Sequence, residues 1–172
     1  VNDLTGNSLS IAPDTNIDSI IGKCRVGSFG HSDVAAFGHQ KFSGSTEYGV
    51  LQNSNGKFTK SLSQPWFIDK DSEDLGCLFI DVDNDGDRDL YIASGGSEFK
   101  INSPLLKDRL YLNDGTGKFK KDNSALPLIY ESSECVKASD IDKDGDLDLF
   151  VGTRLVSGKY GFPATSYILI NT

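Results

Sequence analysis

Apolar and polar positions alternate along this chain in short bursts and never over a long span. Runs such as "CLFIDV" (77–82), "DLYIAS" (89–94), "RLYLN" (109–113) and "GKFKK" (117–121) are separated by clusters of Asp, Gly and Asn. Short apolar runs bounded by turn residues are the pattern of β-strands. No window of eleven residues carries helical periodicity. The predicted elements are therefore strands throughout, joined by tight turns.

The strands recur. "DRLYLNDGTGKFKK" (108–121) is matched by "YGVLQNSNGKFTK" (48–60), and its first half by "SYILINT" (166–172). Further along, "CLFIDVDNDGDRDLYIAS" (77–94) is matched by "CVKASDIDKDGDLDLFVGT" (135–153), with a shorter copy in "CRVGSFGHSDVAAFG" (24–38). A self-similar period of this size marks a repeat architecture. The units run roughly over 24–76, 77–134 and 135–172, and residues 1–23 are expected to supply a fourth strand and connector. Asn2, Asn53, Asn113 and Asn171 share one repeat position, so the chain starts and stops at the same phase. Four short strands per unit, joined as a meander, form one twisted antiparallel sheet, and such sheets packed around an axis form a propeller. The expected fold is all-β: about three four-stranded antiparallel blades of a β-propeller over 1–172, either a partial propeller or half of an oligomeric ring. A β-sandwich would account for the strands but not for the repeat or its phase.

Composition narrows the partners. The chain has 172 residues, a formal net charge of −8, and 25 acidic residues, of which ten lie in "DVDNDGDRD" (81–89) and "DIDKDGDLD" (140–148). Nucleic acid, which needs basic stripes, is not an expected partner, nor is an anionic membrane surface. No apolar run approaches a membrane span. The chain opens on Val1 and holds no methionine, as expected of a processed or trimmed piece. Its three cysteines, Cys24, Cys77 and Cys135, are too few and too far apart for a disulfide framework or a zinc site, and are expected to be small buried hydrophobes.

The two acidic stretches carry the strongest chemical signal. Calcium takes six to eight hard oxygen ligands in flexible geometry. Carboxylates at positions 1, 3, 5 and 9 of a loop, a backbone carbonyl at 7 and a glycine at 6 converge on one centre. In the first copy these are Asp81, Asp83, Asp85, Asp87 (by its carbonyl) and Asp89, turned by Gly86. In the second they are Asp140, Asp142, Asp144, Asp146 (by its carbonyl) and Asp148, turned by Gly145. An EF-hand also needs an acidic ligand at position 12 and a following helix. Position 12 here is Ile92 or Val151, each inside an apolar run, so that assignment fails. Magnesium suits a cage of protein carboxylates less well than the larger, more tolerant calcium. Two bound Ca2+ ions would take the formal charge from −8 to about −4.

"DVDNDGDRDLYI" and "DIDKDGDLDLFV" resemble the D-x-D-x-D-G-x-x-D-L motif of FG-GAP/VCBS-type repeats, the integrin α-chain-like propeller family. "DRLYLNDGTGKF" is similar to that family's turn between the third and fourth strands. The resemblance implies one structural calcium in the loop between strands one and two of each motif-bearing unit, on a cell-surface, secreted or periplasmic protein. Unit one departs from the pattern: "GSFGHSD" (27–33) keeps only Asp33, and no calcium is expected there. Propellers of this family have about seven blades, so three units imply either a longer chain or a homodimer that completes a ring.

Other motifs argue against catalysis. "GTGK" (115–118) lacks the spacing of a phosphate loop and reads as a hairpin turn. His31, Ser32 and Asp33 are adjacent in sequence, which is not the convergence a triad needs. His39 stands alone, and no G-x-S-x-G is present. Two long excursions, 95–108 and 153–166, fall at the end of the sheets opposite the calcium loops. Their aromatics Phe99, Tyr160 and Phe162, with Trp66 on a connector, are candidates to contact a protein or glycan, or else to cover the sheets. The expected function is a non-catalytic, calcium-binding adhesion or recognition scaffold outside the cytoplasm. The alternative is a carbohydrate-binding or accessory module of an extracellular polysaccharide-active enzyme.

Overall fold

A computed structural model describes residues 64–172 apart from Tyr160, together with the backbone of three upstream strands. Every sheet is an antiparallel meander. The first contains β1 (Val34–Ala35), β2 (Val50–Ser54) and β3 (Lys57–Ser61). The second has four strands: β4 (Glu73–Ile80), β5 (Asp89–Gly95), β6 (Arg109–Asn113) and β7 (Phe119–Asp122). The third has β8 (Ser132–Ser139), β9 (Asp148–Leu155) and β10 (Tyr167–Leu169). Two single 3-10 turns, at Pro65–Phe67 and Pro104–Leu106, are the only helical segments among the described residues. The protein is all-β, with sheets of four and three strands and no closed ring among the described residues.

The alternation of side chains along each strand sorts the core into two clusters. One face of the second sheet gathers Phe79, Leu90, Ile92, Tyr111 and Phe119 around Trp66 from the preceding connector. Trp66 is only 3 % exposed and meets Tyr111 edge-on at 5.5 Å between ring centres. It is core, and not a candidate for ligand stacking. The other face of the second sheet presents Tyr91, Ala93 and Leu110 to Val136, Leu149 and Val151 of the third. Burying these side chains contributes about 1.5–3 kcal/mol for each large one, which makes this layer the main tie between sheets two and three. The third sheet's far face is open among the described residues: Phe150 is 42 % and Ile168 56 % exposed.

Strand register corrects the alignment of the cysteines. Asp89 and Asp148 open β5 and β9 at equivalent places. Counting from them, Ile92 pairs with Cys77, while its counterpart Val151 pairs with Val136. Cys135 pairs with Gly152 and so stands where the second sheet has Gly76, opposite Ala93. The extra residue in "CVKASD" against "CLFID" shifts it by one, and a shift of one moves a side chain to the other face. Cys77 accordingly packs against the first cluster and is disulfide-bonded, whereas Cys135 is an exposed free thiol. The expectation of small buried hydrophobes fails at both. Residues 1–23, Cys24, the unit-one loop with Asp33, His31, His39 and Tyr160 lie outside the described residues.

Polar groups close the end of the sheets away from the aspartate loops. The Asp108 carboxylate, just before β6, accepts from the Tyr91 hydroxyl at 2.6 Å, the Ser94 N–H at 2.8 Å and the Ser133 hydroxyl at 2.9 Å. Arg109 beside it is buried in an ion pair with Asp74. The excursions 96–108 and 156–166 lie at this same end, because each joins the second strand of its sheet to the third.

Candidate metal centre

Each aspartate loop spans the gap between the first and second strand of its sheet, so both open at the same end of the fold. The chain makes the turn with left-handed backbone at two places. Gly86 and Gly145 have φ of 93° and 104°, and Asn84 and Lys143 have φ of 57° and 66°. The glycines remove a steric cost that any Cβ would impose there.

The turn brings together positions 1, 3 and 9. Asp81, Asp83 and Asp89 each place a carboxylate oxygen within 4.8 Å of the others, and so do Asp140, Asp142 and Asp148. The position-5 side chains lie outside these groups. Asp85 accepts the Asp87 N–H at 2.8 Å, and Asp144 accepts the Asp146 N–H at 3.0 Å. The Asp87 carboxylate packs against the turn at Gly115, where a Cβ would collide with it. The Asp146 carboxylate accepts from the Asn84 side chain at 2.6 Å, linking the two loops.

The position-9 aspartates are anchored from below. Asp89 is buried; one oxygen accepts the Val82 N–H at 3.0 Å and the other the Asn113 N–H at 2.8 Å. Asp148 is held in the same way by the N–H groups of Ile141 at 2.7 Å and Asn171 at 2.9 Å. At Asn113 and Asn171 the repeated asparagine thus has a role: its backbone donates to the buried position-9 aspartate of its own loop. The repeated asparagine was visible in the sequence, but nothing local to it pointed to this partner.

The electrostatics are those of crowded acids. Burial, reinforced by the Asp83 and Asp85 charges, pushes the Asp89 carboxyl up to about 6. Asp148 instead lies below the ordinary carboxylate range, because the Ile141 and Asn171 N–H groups outweigh a smaller desolvation. The two carboxylates are both buried and alike in hydrogen bonding. Asp142 is raised by desolvation and by the neighbouring charges of Asp144 and Asp148.

A cation fits this arrangement. Asp81 Oδ1 is buried and has no hydrogen-bond partner, a state that costs about 1–3 kcal/mol unless something pairs with it. A hard divalent ion against Asp81, Asp83 and Asp89 would supply that partner. Oxygen-only donors, with no His or Cys in either group, suit calcium or magnesium better than a transition metal.

The fold and its paired loops define an all-β repeat protein with two acidic loop sites. Residues 81–151, from Asp81 at the start of loop one to the strand beyond loop two, match the family model for the FG-GAP-like repeat. No curated protein and no solved structure matches the chain.

Proposed function

We propose that the chain is a calcium-stabilised segment of a β-propeller, its sheets being blades, and that it serves as a non-catalytic recognition scaffold outside the cytoplasm. The observation that carries this reading is the repeated convergence of three carboxylates with one buried oxygen left unpaired. The metal's role is structural. Held by Asp81, Asp83 and Asp89, and again by Asp140, Asp142 and Asp148, it neutralises the loops and fixes the turns from β4 to β5 and from β8 to β9. Extracellular calcium modules bind at roughly 10⁻⁴–10⁻³ M, which suits a secreted, periplasmic or surface protein. The Cys77 disulfide supports the same compartment, since disulfides persist under oxidising conditions.

A partner binds at the end opposite the loops. A cavity of about 280 Å³ opens there among Asp69, Lys107, Asp108 and Lys121. The open face of the third sheet continues the packing between sheets two and three, and a second copy of the chain covers it to complete the ring. The reading as a carbohydrate-binding or accessory module rests on Phe162, 63 % exposed with the Lys159 ammonium 5.7 Å from its ring centre. Thermal melts with millimolar calcium and with chelator test the main reading: calcium raises the midpoint by several degrees. An unchanged midpoint would sink it. A glycan array on the calcium-loaded chain separates the two partner classes.

A further inference from the structure

We infer that the two aspartate loops bind their cations as a coupled pair, with the Asn171 side chain as the group that couples them. This rests on the calcium reading above.

The link is a short chain of contacts. Asn171 follows β10 and belongs by repeat to loop two, whose Asp148 accepts its backbone N–H at 2.9 Å. Its side-chain amide, however, crosses to loop one and donates to the Val82 carbonyl at 2.7 Å. Val82 lies between the ligands Asp81 and Asp83, and its own N–H donates to Asp89. One residue therefore grips the backbone of one site and a buried carboxylate of the other. Asn113, its counterpart, does nothing comparable, because its side-chain amide donates to the Arg88 carbonyl inside its own loop at 3.2 Å.

A filled first site holds residues 81–83 in place and so holds the Val82 carbonyl. That fixes Asn171, whose backbone then presents a settled donor to Asp148. The effect runs equally in the other direction, since coupling between two binding equilibria is reciprocal. The Asn171 side chain touches neither carboxylate group, so it is a positioning residue and not a ligand. The second contact between the loops, from Asn84 to Asp146, is exposed and competes with water.

The test is calorimetric titration of calcium into four versions of the chain: wild type, Asp142→Asn to disable site two, Asn171→Ala, and the double variant. Both Asn171 variants keep the backbone donor to Asp148. With Asn171 present, disabling site two weakens site one by about five-fold or more. With Asn171→Ala the same change leaves site one within about two-fold. A site-one affinity indifferent to Asp142→Asn overturns the coupling, and a coupling that survives Asn171→Ala overturns the role of that side chain. If Asn171→Ala misfolds, NMR of the Asp142→Asn chain decides the matter: loading site one must shift the Asn171 side-chain amide signals, and unmoved signals overturn the inference. Failure of the wild type to bind calcium at all refutes the calcium reading itself, a result distinct from two ions bound independently.

Discussion

Asp108 accepts a hydrogen bond from Ser133 across the boundary between the second and third sheets. Its carboxyl is pushed up to about 6, chiefly by burial, against the pull of the Tyr91, Ser94 and Ser133 donors and the Arg109 charge. An ordinary unfolded aspartate titrates near 3.9. A group raised on folding contributes stability that is complete below its unfolded value and lost as pH rises through its folded one. The Asp108 contribution therefore fades between about pH 4 and pH 6, by an amount on the order of 2–3 kcal/mol. Urea denaturation at a series of pH values shows this as stability lost between about pH 4 and pH 6 by the wild type relative to Asp108→Asn.

Positions 3 and 9 of loop one separate metal binding from folding. Asp83 is exposed, whereas Asp89 is buried and satisfies two backbone donors. In chelator, Asp83→Ala leaves stability within about 0.5 kcal/mol of wild type. Asp89→Ala strands the Val82 and Asn113 N–H groups and costs about 2–5 kcal/mol. Both variants lose calcium at site one. Chemical denaturation in chelator, paired with calcium titration, reads the two effects separately.

Equivalent faces of neighbouring sheets differ in cover. Leu110 is 4 % exposed between sheets two and three, and Phe150 is 42 % exposed on the far face of sheet three. Leu110→Ala costs about 2–5 kcal/mol. Phe150→Ser costs the isolated chain less than about 1 kcal/mol, but it shifts a self-associating chain toward monomer in sedimentation velocity. An unchanged distribution with Phe150→Ser would remove that face from the interface.

The Arg109 and Asp74 pair is buried, with Ser94 and Tyr111 as further partners of the guanidinium. Removing one member of a buried pair leaves a charge without its partner, at a cost of about 3–5 kcal/mol. Arg109→Ala therefore lowers the thermal midpoint whether or not calcium is present. A midpoint loss seen only in chelator would contradict the separation of this network from the metal sites.

The spacing of aspartates and the punctuation by glycine were legible because a loop's geometry is local. Asp81, Asp83 and Asp89 converge, Gly86 turns with positive φ, and a meander of short strands follows. The four-strand pattern is complete in the second sheet, while the third stops at β10 among the described residues. What the sequence hid is non-local. The register of β8 depends on its pairing with β9 and on its bulges, so aligning Cys135 with Cys77 misplaced the thiol by one residue. Trp66 sits on a polar connector and looks accessible, yet Tyr111 and Phe119 from later strands enclose it. Asp108, Arg109 and Tyr91 form their network only when three strands meet, and no motif announces it.

Each aspartate loop is proposed to hold one calcium ion. Native mass spectrometry of the chain, with calcium and after chelation, tests it most directly. Two calcium ions per chain are expected, one lost with Asp83→Ala and the other with Asp142→Asn. A chain that retains no calcium at millimolar supply, or whose calcium count ignores both substitutions, would contradict it.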